Sequence, residues 1–327
     1  MIRLTATRTI KNPIERFGEP FGIAVKDDEV FISDGETGKI WRASNLDNFT
    51  VLTDKFDTPS GIVLDKNGDL IVADSGSHSI KKIKIATGEI ELIAGVEGKN
   101  GFADGDADKA LFNAPIGIAV SGDQIFVADT YNDKIRLIEN GKVSTFAGSE
   151  QGFADADNGQ TAKFATPGGL AIFKDGRILV ADTGNKRLRI IDSSGKTRTL
   201  AGGSDVDEGR EKSVSIDGFL HDAAFIEPIA VTINKFGVIY VADRNSIRVI
   251  GRRIFPLVET ITDTAPGFVD GNISTSRLRR PSGLVFDKNG NLLIADSENQ
   301  YIRMLTGQEI GTLTTAAEIE ADRFSPA

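Results

Sequence analysis

The sequence predicts an all-β fold, a six-bladed β-propeller with four antiparallel strands per blade, on three observations. A proline-led apolar strand recurs six times. Each copy continues to an apolar run that ends in aspartate, and an alternating strand follows each aspartate. Repeats at this scale decide the architecture before any local propensity does.

The first strand of each unit opens on Pro-x-Gly, at Pro20-Phe21-Gly22, Pro59-Ser60-Gly61, Pro115-Ile116-Gly117, Pro167-Gly168-Gly169 and Pro281-Ser282-Gly283. The remaining copy, Pro228-Ile229-Ala230, replaces the glycine. A turn rich in Asp, Asn and Gly follows, as in Asp65-Lys66-Asn67-Gly68, and leads to the second strand. That strand ends at Asp34, Asp74, Asp129, Asp182, Asp243 or Asp296. The third strand pairs apolar residues with a cation, as in Ile135-Arg136-Leu137-Ile138. The fourth alternates polar and apolar residues, as in Lys142-Val143-Ser144-Thr145-Phe146, and reads as the exposed edge. Short runs between Gly, Asn and Asp turns are strands, and four per unit repeated six times make a propeller. One blade cannot cover both its faces, so neighbours stack and the ring folds as one unit. Residues 1–315 are expected to form this single domain, with an acidic tail over 316–327.

Three residues before each repeat proline stands Phe17, Phe56, Phe112, Phe164, Phe225 or Leu278, expected to anchor the inter-blade linker on the sheet. Four linkers carry a Gly/Asp-rich insert, for example Gly101-Phe102-Ala103-Asp104-Gly105 and Gly267-Phe268-Val269-Asp270-Gly271. The shared Asp of each insert is placed to pair with the third-strand cation of the blade it follows. Phe17 marks the linker into blade 1, so Thr5 to Ile10 are expected to supply the outer strand of the last blade, in competition with Glu309 to Thr314.

Composition narrows the function. The chain has no cysteine, which removes disulfides, thiolate metal ligands and a cysteine nucleophile. A cysteine-free chain fits a periplasmic or extracellular setting after signal removal, and fits the cytoplasm as well. No apolar run is long enough to span a bilayer, and Met1-Ile2-Arg3-Leu4-Thr5 has no signal-like apolar stretch. A net charge of −9 repels a phosphate backbone at long range and disfavours nucleic acid as a partner.

Val180-Ala181-Asp182-Thr183-Gly184-Asn185-Lys186-Arg187-Leu188 resembles the NHL repeat, as do Ala94-Gly95, Asp104-Gly105, Ala110, Phe112 and Pro115. The resemblance runs from about Phe17 to Leu305. It implies the propeller fold and leaves function open, since the family includes lyases, lactonase relatives, RNA binders and protein-interaction scaffolds.

The second-to-third-strand loops and the inter-blade linkers share one face, which is the expected binding face. The six aspartates recur in every blade and so cannot mark one off-centre site. They are expected to accept hydrogen bonds from backbone two or three residues on. Function is sought where one copy departs from the others: the post-proline ring Phe21, Ser60, Ile116, Gly168, Ile229 and Ser282, together with His78, Tyr131, Arg244 and Glu298. Gluconolactonase-like relatives place a metal-binding Asn in that ring, and none of these six positions is Asn. The related amidating lyases use a histidine-bound zinc, whereas only His78 and His221 occur here. Asp104, Asp106 and Asp108 space carboxylates as calcium ligands might be, without the glycine and closing glutamate of an EF-hand. A solvated acidic loop is the simpler reading, and no cofactor is predicted. Arg248, Arg252, Arg253, Arg277, Arg279 and Arg280 concentrate positive charge in the last third, with too few aromatics for a single-stranded nucleic-acid platform. The sequence therefore points to a monomeric, non-enzymatic module that binds a protein or small-molecule ligand on its loop face. The rival is a metal-dependent lactonase or lyase at the channel mouth.

Overall fold

In the computed structural model, residues 2–10, 16–44, 46–203, 214–251 and 255–309 are described. They form six antiparallel sheets arranged as a ring of blades. Blade 1 is made of Pro20–Lys26, Glu29–Asp34, Lys39–Ser44 and Asp47–Thr53, from the channel outward. Blade 6 combines Pro281–Phe286, Leu292–Asp296 and Tyr301–Glu309 with the N-terminal strand Ile2–Thr9. The N-terminal strand pairs antiparallel with Tyr301–Glu309, with Thr9 opposite Arg303, and closes the ring. Glu309 ends that third strand and does not start a competing one; residues 310–314 and the tail over 316–327 lie outside the described residues.

Six apolar clusters hold the ring, each lying between two adjacent blades. The six linker anchors Phe17, Phe56, Phe112, Phe164, Phe225 and Leu278 are all buried in them. Inner strands approach so closely that the repeat glycine has a steric reason. A Cβ on Gly22 would lie 2.5 Å from the Ser60 carbonyl oxygen of the next blade. The same substitution on Gly283 would overlap the Phe21 carbonyl across the closing seam.

Hydroxyls stitch the same seams. The residue after the blade aspartate donates to the next blade's proline carbonyl: Ser75 to Pro115 at 2.5 Å, Thr130 to Pro167 at 2.9 Å, Thr183 to Pro228 at 2.7 Å and Ser297 to Pro20 at 2.6 Å. Blade 1 has Gly35 there, and Ser33 donates instead to the Ser60 carbonyl. Blade 5 has Arg244, whose side chain is exposed.

The aspartates are architectural; the local backbone bond expected is present in blade 1, where the Thr37 N–H donates to Asp34 at 3.3 Å, and longer-range bonds dominate elsewhere. All six are buried. Each accepts from linker backbone 15 to 17 residues earlier, as when Asp243 takes the Ile226 and Glu227 N–H groups at 2.9 and 2.7 Å. Four of them also hold the loop that follows, accepting from the Ser77, Asn132, Asn185 and Asn299 side chains at 2.7–2.9 Å, so each of these carboxylates ties linker and loop together. The matching cation on the third strand neutralises it: Lys81, Arg136, Arg189, Arg248 and Arg303 lie 2.5–3.0 Å from their aspartates. In blade 1 the Trp41 Nε1–H donates to Asp34 at 3.1 Å.

Candidate functional site

The inserts correct one expectation. Each insert aspartate pairs with the cation of the blade it leads into, not of the blade it follows. Asp104 meets Arg136 at 2.6 Å, Asp155 meets Arg189 at 2.8 Å, Asp217 meets Arg248 at 3.0 Å and Asp270 meets Arg303 at 2.7 Å. The same carboxylate accepts from a threonine on the outer strand: Thr145, Thr199, Thr260 and Thr9 each give both backbone N–H and hydroxyl. Arg303, whose blade is followed by no such insert, is served by the one that precedes it. The signal was in the sequence one blade out of phase: the four blades preceded by inserts carry arginine, and the other two carry Trp41 and Lys81.

This geometry also settles where the acidic insert of blade 3 points. Asp104 is held by Arg136 and Thr145, and Asp106 by Lys109 at 3.0 Å and Lys142 at 2.9 Å. Asp108 is exposed. The three carboxylates face different partners and do not converge as calcium ligands must. Among the described residues, no group of three or more His, Asp or Glu is placed to hold a metal ion.

Hydrogen bonds from Lys142 and Lys109 bring the Asp106 carboxyl down to about 2. A depressed acid stabilises the folded state above its unfolded value near 4, and that contribution is lost as pH falls towards 2. We expect the Asp106 carboxyl carbon to titrate near pH 2 by NMR. Lys142→Ala should move it up towards the ordinary carboxylate range; an unmoved midpoint would show that the pair does not form.

Of the ten candidate binding residues, four turn out to be joinery. Ser60 is buried and its Oγ lies 2.7 Å from Ser75 Oγ. Ser282 is buried against Ser297 in the same way. Gly168 is buried, and its carbonyl seats against Gly117. His78 is not a free surface imidazole, because its Nδ1 accepts the Ala114 N–H at 3.1 Å. Asp133 does the same for Thr166 at 2.7 Å, and Asn245 for Arg280 at 3.3 Å. His78→Asn, which keeps an acceptor, is expected to leave the melting temperature nearly unchanged, whereas His78→Ala should lose about 1 kcal/mol in denaturant unfolding. Equal losses would refute the acceptor role.

Phe21, Ile116 and Ile229 are half-buried in the inner strands. Tyr131, Arg244 and Glu298 are exposed on the loop face, with Tyr131 at 63%. The loop after Asp243 is two residues long, against four in the other blades, which lowers the rim at blade 5. Beside this notch Arg280 pairs with Glu227 at 2.6 Å, and Arg279 with Glu298 at 3.0 Å. Glu19 and Glu36 are exposed on the same face in blade 1. The corresponding positions of blades 2 to 4 are Thr58, Gly76, Ala114, Tyr131, Thr166 and Gly184. At these two positions blades 5, 6 and 1 place five charged residues of six and blades 2 to 4 place none, although exposed Asp57 and Lys186 lie nearby, an asymmetry invisible until the blades are placed round a ring. Arg277 belongs to the insert, 2.9 Å from Asp263, and Arg252 and Arg253 lie outside the described residues.

Clefts also open on the opposite face, where the first-to-second-strand hairpins lie. One of about 190 Å³ sits at the seam of blades 6 and 1, beside Arg8, Asp27, Lys288 and Met304. Another of about 70 Å³ sits at the seam of blades 5 and 6, beside Phe236, Tyr240 and Phe286. Burial raises the Tyr240 hydroxyl above its usual range.

Fold and repeat together define a six-bladed β-propeller of the tandem-repeat class. Residues 56–83, 164–191 and 278–303, which lead blades 2, 4 and 6, match the NHL repeat, and the chain belongs to the NHL-repeat β-propellers. It is 38% identical over 160 residues to the protein SUPPRESSOR OF QUENCHING 1, chloroplastic, of Arabidopsis thaliana, a match covering 45% of this chain and 15% of that protein. It is 30% identical over 287 residues to human NHL repeat-containing protein 2, covering 76% and 38% of the two chains. The chain thus spans well under half the length of these two relatives. In fold it is similar to a gluconolactonase from Xanthomonas campestris, with a TM-score of 0.63 at 16% identity over 93% of this chain and 90% of that one. No helix among the described residues is long and apolar enough to cross a membrane.

Proposed function

We propose that this propeller is a binding module whose loop face receives a protein or small-molecule ligand. The observation that carries this is the asymmetry of the mouth. The Arg279–Glu298 pair and the exposed Arg244 and Tyr131 side chains serve none of the seams that hold the ring, whereas Arg280 and Glu227 tie blade 6 to blade 5. A large aromatic with a polar tip beside arginines is the composition that protein-binding surfaces favour. Catalysis of the lactonase or lyase type is suggested by fold similarity. The residues do not fit a metal centre of that kind: no Asn stands in the inner ring, and His78 Nδ1 is already engaged.

The test compares the wild-type protein with Tyr131→Ala/Arg244→Glu on the loop face and Lys66→Ala on the hairpin face. Species retained from a lysate are identified by mass spectrometry. A specific partner should be lost with the loop-face variant and kept with the hairpin-face one; retention by both would overturn the proposal. A metal scan with chelator melts runs beside it. Stoichiometric metal with a chelator-lowered melt would favour the enzyme instead.

A further inference from the structure

Propeller blades end in an open strand edge, and open edges recruit other strands unless they are covered. Among the described residues, four of the six edges are covered. The insert before blade 3 pairs Gly105–Asp106 with the outer strand Lys142–Ala147. The insert before blade 4 bridges Ala156 to Thr197. Gly218–Phe219 covers blade 5, and Gly271–Asn272 covers blade 6. The outer strands of blades 1 and 2, Asp47–Thr53 and Glu89–Ala94, remain the last strands of their sheets among the described residues.

The side chains follow the same division. Opposite the third-strand arginine, the covered blades place Thr145, Thr199, Thr260 and Thr9, each receiving an insert aspartate. At the same register position the uncovered blades place Val51, opposite Trp41, and Leu92, opposite Lys81. These two apolar residues are 41% and 43% exposed. A position polar wherever it is covered from within is thus apolar at the two neighbouring edges where it is not. Glu89 and Glu91 precede Leu92 on the same strand and are both exposed, Glu89 also meeting Lys84 at 2.9 Å. Pairing this edge with its own copy would bring like charges together across the new ladder.

We propose that the adjacent outer edges of blades 1 and 2 form a second interaction surface, which takes up an extended partner segment as an added strand. The segment alternates apolar residues, which cover Leu92 or Val51, with lysine or arginine facing Glu89 and Glu91. Backbone hydrogen bonds supply affinity and the alternate side chains supply specificity. The internal inserts show the geometry, since the same rim position accepts an extended segment four times in this molecule.

The probe is a synthetic peptide of alternating lysine and valine, titrated by calorimetry against the full chain. A peptide of the same composition interrupted by proline serves as control. Binding is expected to weaken at least tenfold for the interrupted peptide and for Leu92→Asp. Amides of 89–94 should gain hydrogen-exchange protection, and Tyr131→Ala/Arg244→Glu should bind the peptide normally, which separates this surface from the loop face. Both substituted edge residues are exposed, so an unchanged melt certifies folding, and Val51→Asp gives an independent second variant. Equal binding of the two peptides would reduce the effect to charge attraction and overturn the proposal. So would no binding at all, or a dimer of the chain that Leu92→Asp dissociates.

Discussion

Arg189→Ala is expected to lower the unfolding free energy by about 3–5 kcal/mol, the range seen when one partner of a buried ion pair is removed. Arg189 is fully buried, 2.7 Å from Asp182 and 2.8 Å from Asp155. Its guanidinium lies 5.0 Å from the ring centres of both Phe153 and Phe164. It also donates to the Lys163 and Ala154 carbonyls, which tie the insert to the blade. Removing it leaves Asp182 buried without its cation and unpins the linker. Burial already raises the Asp182 carboxyl above its usual range, with Arg189 among the groups that oppose the rise. Without Arg189 the value must rise further. A raised acid stabilises the folded state most below its unfolded pKa, and that contribution is lost as pH climbs through the folded value. The deficit of the variant should therefore be larger at pH 8 than at pH 5. Guanidinium unfolding at both pH values checks this; a loss under about 1 kcal/mol, or one independent of pH, would show that the pair is not structural.

Gly283→Ala should destabilise by about 3 kcal/mol, the upper end for overpacking, because the added methyl meets backbone that cannot rotate away. The obstructing atom is the Phe21 carbonyl oxygen of blade 1, across the seam where chain start and chain end meet. Blade 5 supplies the internal control, since Ala230 already stands at the equivalent position and is tolerated. Ala230→Gly should change stability by about 1 kcal/mol or less. Melting the two variants side by side tests the contrast, and similar small losses would mean that the closing seam is looser than its geometry.

Much of the architecture was legible because repetition averages out local noise. Pro-x-Gly marked five inner strands and Pro228-Ile229-Ala230 the sixth, and Phe17 fixed the phase of the first blade and hence the N-terminal closure. Ser60, Gly168, Ser282 and His78, singled out as departures from the repeat, are spent on joinery for one physical reason. A residue that departs from its repeat can be a local replacement that does the same job. His78 and Asp133 offer different atoms to the same backbone donor, and sequence spacing cannot show that. The insert pairing was displaced by one blade because an extended linker can reach forward or back. Only the paired strands decide which.

By itself the sequence determined the number of blades, the order of strands and the linker anchors from Phe17 to Leu278. These follow from hydrophobic period and from turn chemistry, which are local. The tertiary structure alone decided which side chains are spent on joinery and which remain free. It gathered Glu227, Arg244, Arg279, Arg280 and Glu298 on one arc of the mouth, and left two adjacent edges, at Val51 and Leu92, uncovered among the described residues. Both depend on ring closure, which makes neighbours of residues that lie far apart along the chain.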